Sequence, residues 1–390
     1  MEKIYMDHVA GTSLLPEALE AMLPFYKEKF GNPSSIHGFG EEAENAVTEA
    51  REKVAALINA EPDDIIFTSC GTESNNFAFK GVPYALRSKG NHIVTTPIEH
   101  FSIMHAIKTM EKTGFDVTQV PVDRFGMVNP EDVRKAITDK TILVSIQHAN
   151  PEVGTIQPIA EIGKICKERG VDFHTDAVVS AGLIPIDVKA MNIDLLSLSA
   201  NMFYGPKGAA ALYIRKGVRI QPLLDGGIQE RGKRAGTENV PAIVGMGVAA
   251  EVAKKEMAAR RERVIKLAKR LDAGLSAKIE HLHHFGHPET RLPGHVSVGA
   301  EFVEGESILL FMDMQGGIAI ASGSACISRS LKVSHVLLAM GIDHTTAQGS
   351  MVFSLGKDNT EAQVDKAIEV LPPIIQRLRD MSPLYKRKGT

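Results

Sequence analysis

Apolar and polar positions alternate along most of this chain at two periods. Short β-branched runs, Ile65-Ile66-Phe67-Thr68-Ser69, Asn91 to Thr95, Phe115 to Val120, Thr141 to Ile146 and Val171 to His174, read as strands. Between them lie stretches with helical spacing: about Gly40 to Ile58, a start at Glu99-His100, Asn129 to Ile137, and Ile159 to Arg169. A further helix begins near Pro16, with Leu19, Met22 and Leu23 on one face. Strands that alternate with helices predict a mostly parallel sheet covered on both faces. Side chains that bind ligands in such a sheet gather beyond the carboxyl ends of its strands. His100, Asn150, Asp176 and Ser199 each fall just after a predicted strand.

The middle of the chain is distinctive. Asp194 to Ser199 reads as a strand, Ala200-Asn201-Met202-Phe203-Tyr204 as a loop, Gly205-Pro206-Lys207-Gly208 as a tight turn, and Ala210 to Ile214 as a second strand. A glycine-rich polar loop from Gly226 to Asn239 then leads into a long helical region, roughly Pro241 to Ile279. The remainder reads as α+β, with strands near Gly294–Val298 and Gly317–Ala321 and helices near Glu306–Met314 and Asp365–Met381.

Composition adds bounds. A chain of 390 residues has room for one large domain and a smaller one. With 44% hydrophobic and 23% charged residues, it reads as an ordinary globular protein. A net charge of −3 gives no argument for nucleic acid or an anionic membrane. There is no apolar run of bilayer length and no basic stretch followed by an apolar one at the N-terminus, so a cytoplasmic location is expected. Three scattered cysteines, Cys70, Cys166 and Cys326, argue against a disulfide framework.

Candidate chemistry sits in four strings. Thr68-Ser69-Cys70-Gly71-Thr72-Glu73-Ser74-Asn75 offers a helix start, whose free N–H groups favour an anion. The others are Thr141 to Gly154, the segment Ser199 to Gly208, and Ala321-Ser322-Gly323-Ser324-Ala325-Cys326. The small, polar flanks of Cys326 suggest an exposed and reactive thiol, while Cys70 and Cys166 read as structural. A histidine run, His281, His283, His284 and His287, admits a metal site or a surface strand and loop, and the second reading is preferred.

Together, in order and over essentially the whole chain, these strings resemble the cysteine desulfurases of the NifS/IscS family, pyridoxal-phosphate (PLP) enzymes of fold type I. The resemblance implies a large α/β domain with a mostly parallel seven-stranded sheet, expected at 15–260. It implies a smaller α+β domain from 1–14 and 261–390 that carries the Cys326 loop. It further implies a homodimer and an IscU-like iron–sulfur scaffold as partner. Its cofactor residues fall on Gly71, Thr72, His100, Asn150, Asp176 and Ser199, with Thr237 reaching across from the other subunit. In the family Asp176 pairs with the pyridine nitrogen, His100 stacks on the ring, and Gly71, Thr72 and Ser199 hold the phosphate.

Three departures stand out. The family's His-Lys, whose lysine holds PLP covalently, is Asn201-Met202 here. Its glutamine that bonds the cofactor's phenolic oxygen is Val179, and its arginine that grips the substrate carboxylate is Val352. PLP is therefore expected to bind weakly, non-covalently or not at all. The expected role is sulfur transfer or iron–sulfur assembly through Cys326, as persulfide carrier or as ligand to a [2Fe-2S] cluster. Two alternatives stand beside it: a true desulfurase or lyase with non-covalent PLP, and a non-catalytic dimeric docking platform.

Overall fold

The computed structural model describes residues 3–322, 333–382 and 385. Cys326 and its neighbouring loop lie outside the described residues. The strands are β1 Ile4–Tyr5, β2 Ile65–Thr68, β3 His92–Thr95, β4 Asp116–Gln119, β5 Thr141–Ser145, β6 Asp172–Asp176, β7 Leu195–Ser199, β8 Ala210–Ile214, β9 Leu282–His284, β10 His295–Ala300, β11 Ile318–Ala319 and β12 Ser350–Ser354. The helices are α1 Pro16–Lys27, α2 Gly38–Leu57, α3 Gly71–Leu86, α4 Phe101–Lys112, α5 Pro130–Ala136, α6 Ile159–Arg169, α7 Val240–Lys278, α8 Gly305–Phe311, α9 His335–Ala339, α10 His344–Gln348 and α11 Glu361–Met381.

A seven-stranded sheet has the order β2-β8-β7-β6-β5-β3-β4. Pairings from β7 to β4 are parallel, and β8 runs antiparallel to both β7 and β2. Strands β5, β7 and β8 are buried at every position. That is why they read as continuous apolar runs and not as alternating ones. Edge strand β4, Asp-Val-Thr-Gln, is largely exposed, and its polar composition suits an edge. Because only β8 is reversed, the carboxyl ends of β2, β3, β5, β6 and β7 share one rim.

Beyond it lie an antiparallel sheet of order β12-β10-β9 and a parallel pair β1-β11. Helix α7 is 39 residues long. Its first half, including Ile243, Met246 and Ala250, packs into the core under the large sheet. Its second half, including Leu267, Leu271 and Leu275, joins Val296, Phe353 and Leu371 in a second core. Strand β12 had no clear signal in the chain's pattern, yet it decides where Val352 lies, because a bridge to Ala321 fixes it. The helix expected from Glu99 begins two residues later. His100 is its cap, since its imidazole accepts the backbone N–H of Ser102.

Candidate functional site

The rim collects the predicted residues other than Thr237. Asp176 ends β6 and Ser199 ends β7. Gly71 opens α3 just after β2, and His100 caps α4. Asn150 lies in the loop after β5, where its side-chain oxygen accepts the N–H groups of Glu152 and Val153 and its amide donates to Ile98 O.

One line of polar groups is continuous. The Asn75 amide donates to Asp176 at 2.6 Å and to Ser102 Oγ at 2.9 Å, and Ser102 Oγ meets His100 Nδ1 at 2.8 Å. A backbone N–H can only donate, so the contact from Ser102 N makes Nδ1 an acceptor. The Ser102 hydroxyl must then donate too, so the ring N–H of His100 is on Nε2. Asp176 also accepts the Val178 N–H. Burial pushes its carboxyl above the usual range, and the hydrogen bonds from Val178 N–H and the Asn75 amide pull back. Asn75 and Ser102 were present in the strings but carried no sign of this role. Only the packing of α3 against α4 sets them between Asp176 and His100.

The other side of the site is apolar. Met202 is 5% exposed and clusters with Ala149, Val179 and Leu292, with Val178 and Ile156 packed against them. Asn201 turns its amide to the Met202 sulfur at 3.5 Å and accepts the Ser199 hydroxyl at 2.6 Å. Val178 presses on the first turn of α3: a Cβ at Gly71 would lie 2.6 Å from its Cγ2, so glycine is required there. Thr72 is exposed at this turn. Thr237 is exposed in the loop before α7 and does not line the cavity described next.

A cavity of about 120 Å³ opens beside these groups, and its wall includes Asp7, Glu99, His100, Asn150, Glu152 and Val352. Glu99 is 1% exposed. Its Oε1 accepts the Thr96 hydroxyl and the Gln147 N–H, and its Oε2 has no partner among the described residues. Burial lifts Glu99 and Glu152 to about 8 and Asp7 to about 6. Glu99 appeared in the sequence only as a helix start. Its depth beneath α4 is a tertiary fact.

The donor set fits one half of pyridoxal phosphate and not the other. Asp176 and His100 suit the ring, but Met202 has no amine and Val179 no donor. No lysine lines the cavity among the described residues. Among the described residues, the site offers no amine to hold the cofactor covalently.

The remaining cysteines differ from expectation in one respect. Cys166 is fully buried on α6, and burial pushes its thiol far above the usual range. Cys70, read as structural, is instead exposed at the start of α3, because its side chain lies at a helix cap and not in the core. His283 and His284 lie exposed on β9, beside Glu301 and Asp272 respectively.

Among the described residues, no helix is long and apolar enough to cross a membrane. Residues 4–367 match the aminotransferase class-V family. Cysteine desulfurase IscS of Methanosarcina thermophila is 53% identical over 99% of this chain and 95% of its own length. IscS of Clostridium botulinum strain Hall is 52% identical over 99% of this chain and 97% of its own. A solved NifS-like protein superposes with a TM-score of 0.91 at 40% identity, covering 96% of this chain and all of its own. With the class-V fold, this rim of residues and identity above one half along nearly the whole chain, the protein belongs to the cysteine desulfurases of the NifS/IscS family.

Proposed function

We propose that this chain serves sulfur transfer or iron–sulfur cluster assembly as a member altered at its active site, working through Cys326. The observation that carries the reading is the burial of Met202 among Val179, Ala149 and Leu292, where the family resemblance puts the PLP lysine. Val352 in the cavity wall supports it, since valine cannot grip a substrate carboxylate. PLP, if taken up, is held weakly and without a covalent bond.

As a carrier, the Cys326 thiolate attacks the terminal sulfur of a persulfide donor. The donor's S–S bond breaks, a new S–S bond forms on Cys326, and the donor leaves as a thiolate, so no outside oxidant is needed. As a cluster ligand, the same thiolate would bind iron together with an IscU-like scaffold. The working form is a homodimer in the cytoplasm. A second reading, turnover with non-covalent PLP, draws on the intact line Asp176–Asn75–Ser102–His100.

Mass spectrometry after incubation with a small persulfide tests the first reading. The expected result is one added sulfur on Cys326, lost on Cys326→Ser. An unmodified Cys326 alongside a sulfurated Cys70 overturns it.

A further inference from the structure

Helix α7 bridges the two cores, and its exposed middle carries a charge imbalance that the fold does not use. From Lys254 to Arg270 the chain holds eight lysines and arginines against two glutamates, in a protein of net charge −3. At about 100° of turn per residue, Lys254, Lys255, Arg261 and Lys269 fall on one face of the helix, and all four are exposed. The acids of this stretch are engaged elsewhere. Glu256 pairs with Arg260 and Glu262 with Lys266, both at 2.7 Å, and Glu251 just before them pairs with Lys53 at 3.2 Å. Such pairs one turn apart are what a solvated bridging helix uses for its own stability. Lys254, Lys255, Arg261 and Lys269 take part in no ion pair or hydrogen bond among the described residues. Cations without counter-charges repel one another, so these four contribute nothing to the helix. Ala258 and Ala259, exposed between them, leave the charges standing clear of the surface.

We propose that this face of α7 docks a second protein through an acidic surface whose carboxylates are spread over roughly 22 Å, the length of helix from Lys254 to Lys269. The proposal is independent of the Cys326 reading. Three of the four cations are lysines, whose flexible stems and compact charges reach separate carboxylates. A second copy of this chain seated here would meet the same cations across a two-fold axis, and repulsion opposes it. Single-stranded nucleic acid is held by aromatic side chains on which bases stack, and the stretch from Lys254 to Arg270 has none. The net charge of −3 also works against a polyphosphate backbone. An anionic bilayer is entered by large exposed apolar side chains beside the cations, and here the exposed apolar residues are Ala258 and Ala259. Docking of this kind is steered by charge, forms fast and weakens with salt.

Carbodiimide cross-linking of the purified full chain to poly-L-glutamate, with the joined lysines identified by peptide mass, tests this. Lys254, Lys255 and Lys269 are expected to carry most of the cross-links at low salt, and about tenfold fewer at about 0.5 M salt. Fluorescence anisotropy with labelled poly-L-glutamate reads the affinity. One variant combining Lys254→Gln, Lys255→Gln, Arg261→Gln and Lys269→Gln should bind about tenfold more weakly or worse. Its Tm and its persulfide uptake should match the parent, which separates a lost surface from a lost fold. Cross-links concentrated on lysines elsewhere, or equal affinity of parent and variant, overturn the inference. Tighter binding through the same four residues by a single-stranded RNA of about 20 nucleotides, or by phosphatidylserine vesicles, overturns it as well. Loss of sulfur uptake at Cys326 in parent and variant alike sinks the sulfur-transfer reading and leaves this one standing.

Discussion

The two sides of the site have been treated differently. Asp176, Asn75, Ser102 and His100 form an unbroken line of hydrogen bonds between β6, α3 and α4. Facing them, Met202, Val179 and Val178 form part of an apolar cluster with Ala149, Ile156 and Leu292. Each buried polar group left unpaired costs about 1–3 kcal/mol, and here the Asn75 amide nitrogen is paired on both sides while its Oδ1 has no partner among the described residues. An apolar cluster has no such constraint, and burying Met202 contributes about 1.5–3 kcal/mol. If Met202 stands where the family has its lysine, as proposed above, the contrast teaches that this fold can lose a reactive amine without disturbing the scaffold that would orient a ring. Replacement by residues that pack is compatible with a stable core, whereas random loss of polar partners is not.

The largest effect that could break this contrast is catalytic. Free cysteine should yield sulfide about 10²–10⁴-fold more slowly than with a lysine-bearing relative, measured as sulfide release with added PLP. Rapid release would mean that the apolar side does not disable the site. Met202→Lys sharpens the same point: without PLP its buried amine should lower Tm, and with PLP a visible absorption band absent from the unaltered chain should appear. Its failure to appear would show that the pocket has changed beyond Met202.

Next comes pH. Glu99 is raised from 4.5 to about 8, so the folded state binds its proton more tightly than the unfolded one. That contribution to stability is fully present below about pH 4.5 and is lost as pH rises toward 8, on the order of a few kcal/mol. Glu99→Gln should flatten the fall, so denaturant midpoints for the variant should exceed the parent near pH 8 but not near pH 5. Equal slopes for both would place the Glu99 carboxylate in contact with a cation or solvent.

A smaller effect probes the polar line itself. Asn75→Ala removes the donor to both Asp176 and Ser102 and should cost about 1–3 kcal/mol in denaturant unfolding. Met202→Leu, on the apolar side, should cost less than about 1.5 kcal/mol. If the two costs are equal, the polar line is not the more constrained half. The smallest effect is on labelling. Iodoacetamide should modify Cys70 in the native protein and leave Cys166 untouched, read by peptide mass. Labelled Cys166 would reveal opening around α6.

Much of the fold was legible in the chain. Runs such as Thr141–Ser145 and Leu195–Ser199 are apolar throughout because both faces of a parallel sheet are covered, and that pattern survives without any tertiary knowledge. That Met202, Val179 and Val352 carry no amine, amide or guanidinium was also readable, because a side chain lacks that chemistry wherever it lies. The polar line was not legible. Asn75 and Ser102 are 27 positions apart, and neither is unusual at the start of a helix. Their roles exist only because α3 and α4 pack side by side at the rim. Nor could the chain reveal that Asp7, Glu99 and Glu152 share one cavity. Local sequence settles which groups can ionise and most of the elements that form, β12 being an exception. Burial and neighbours, which set whether a carboxylate is charged and what it faces, are decided when distant segments meet.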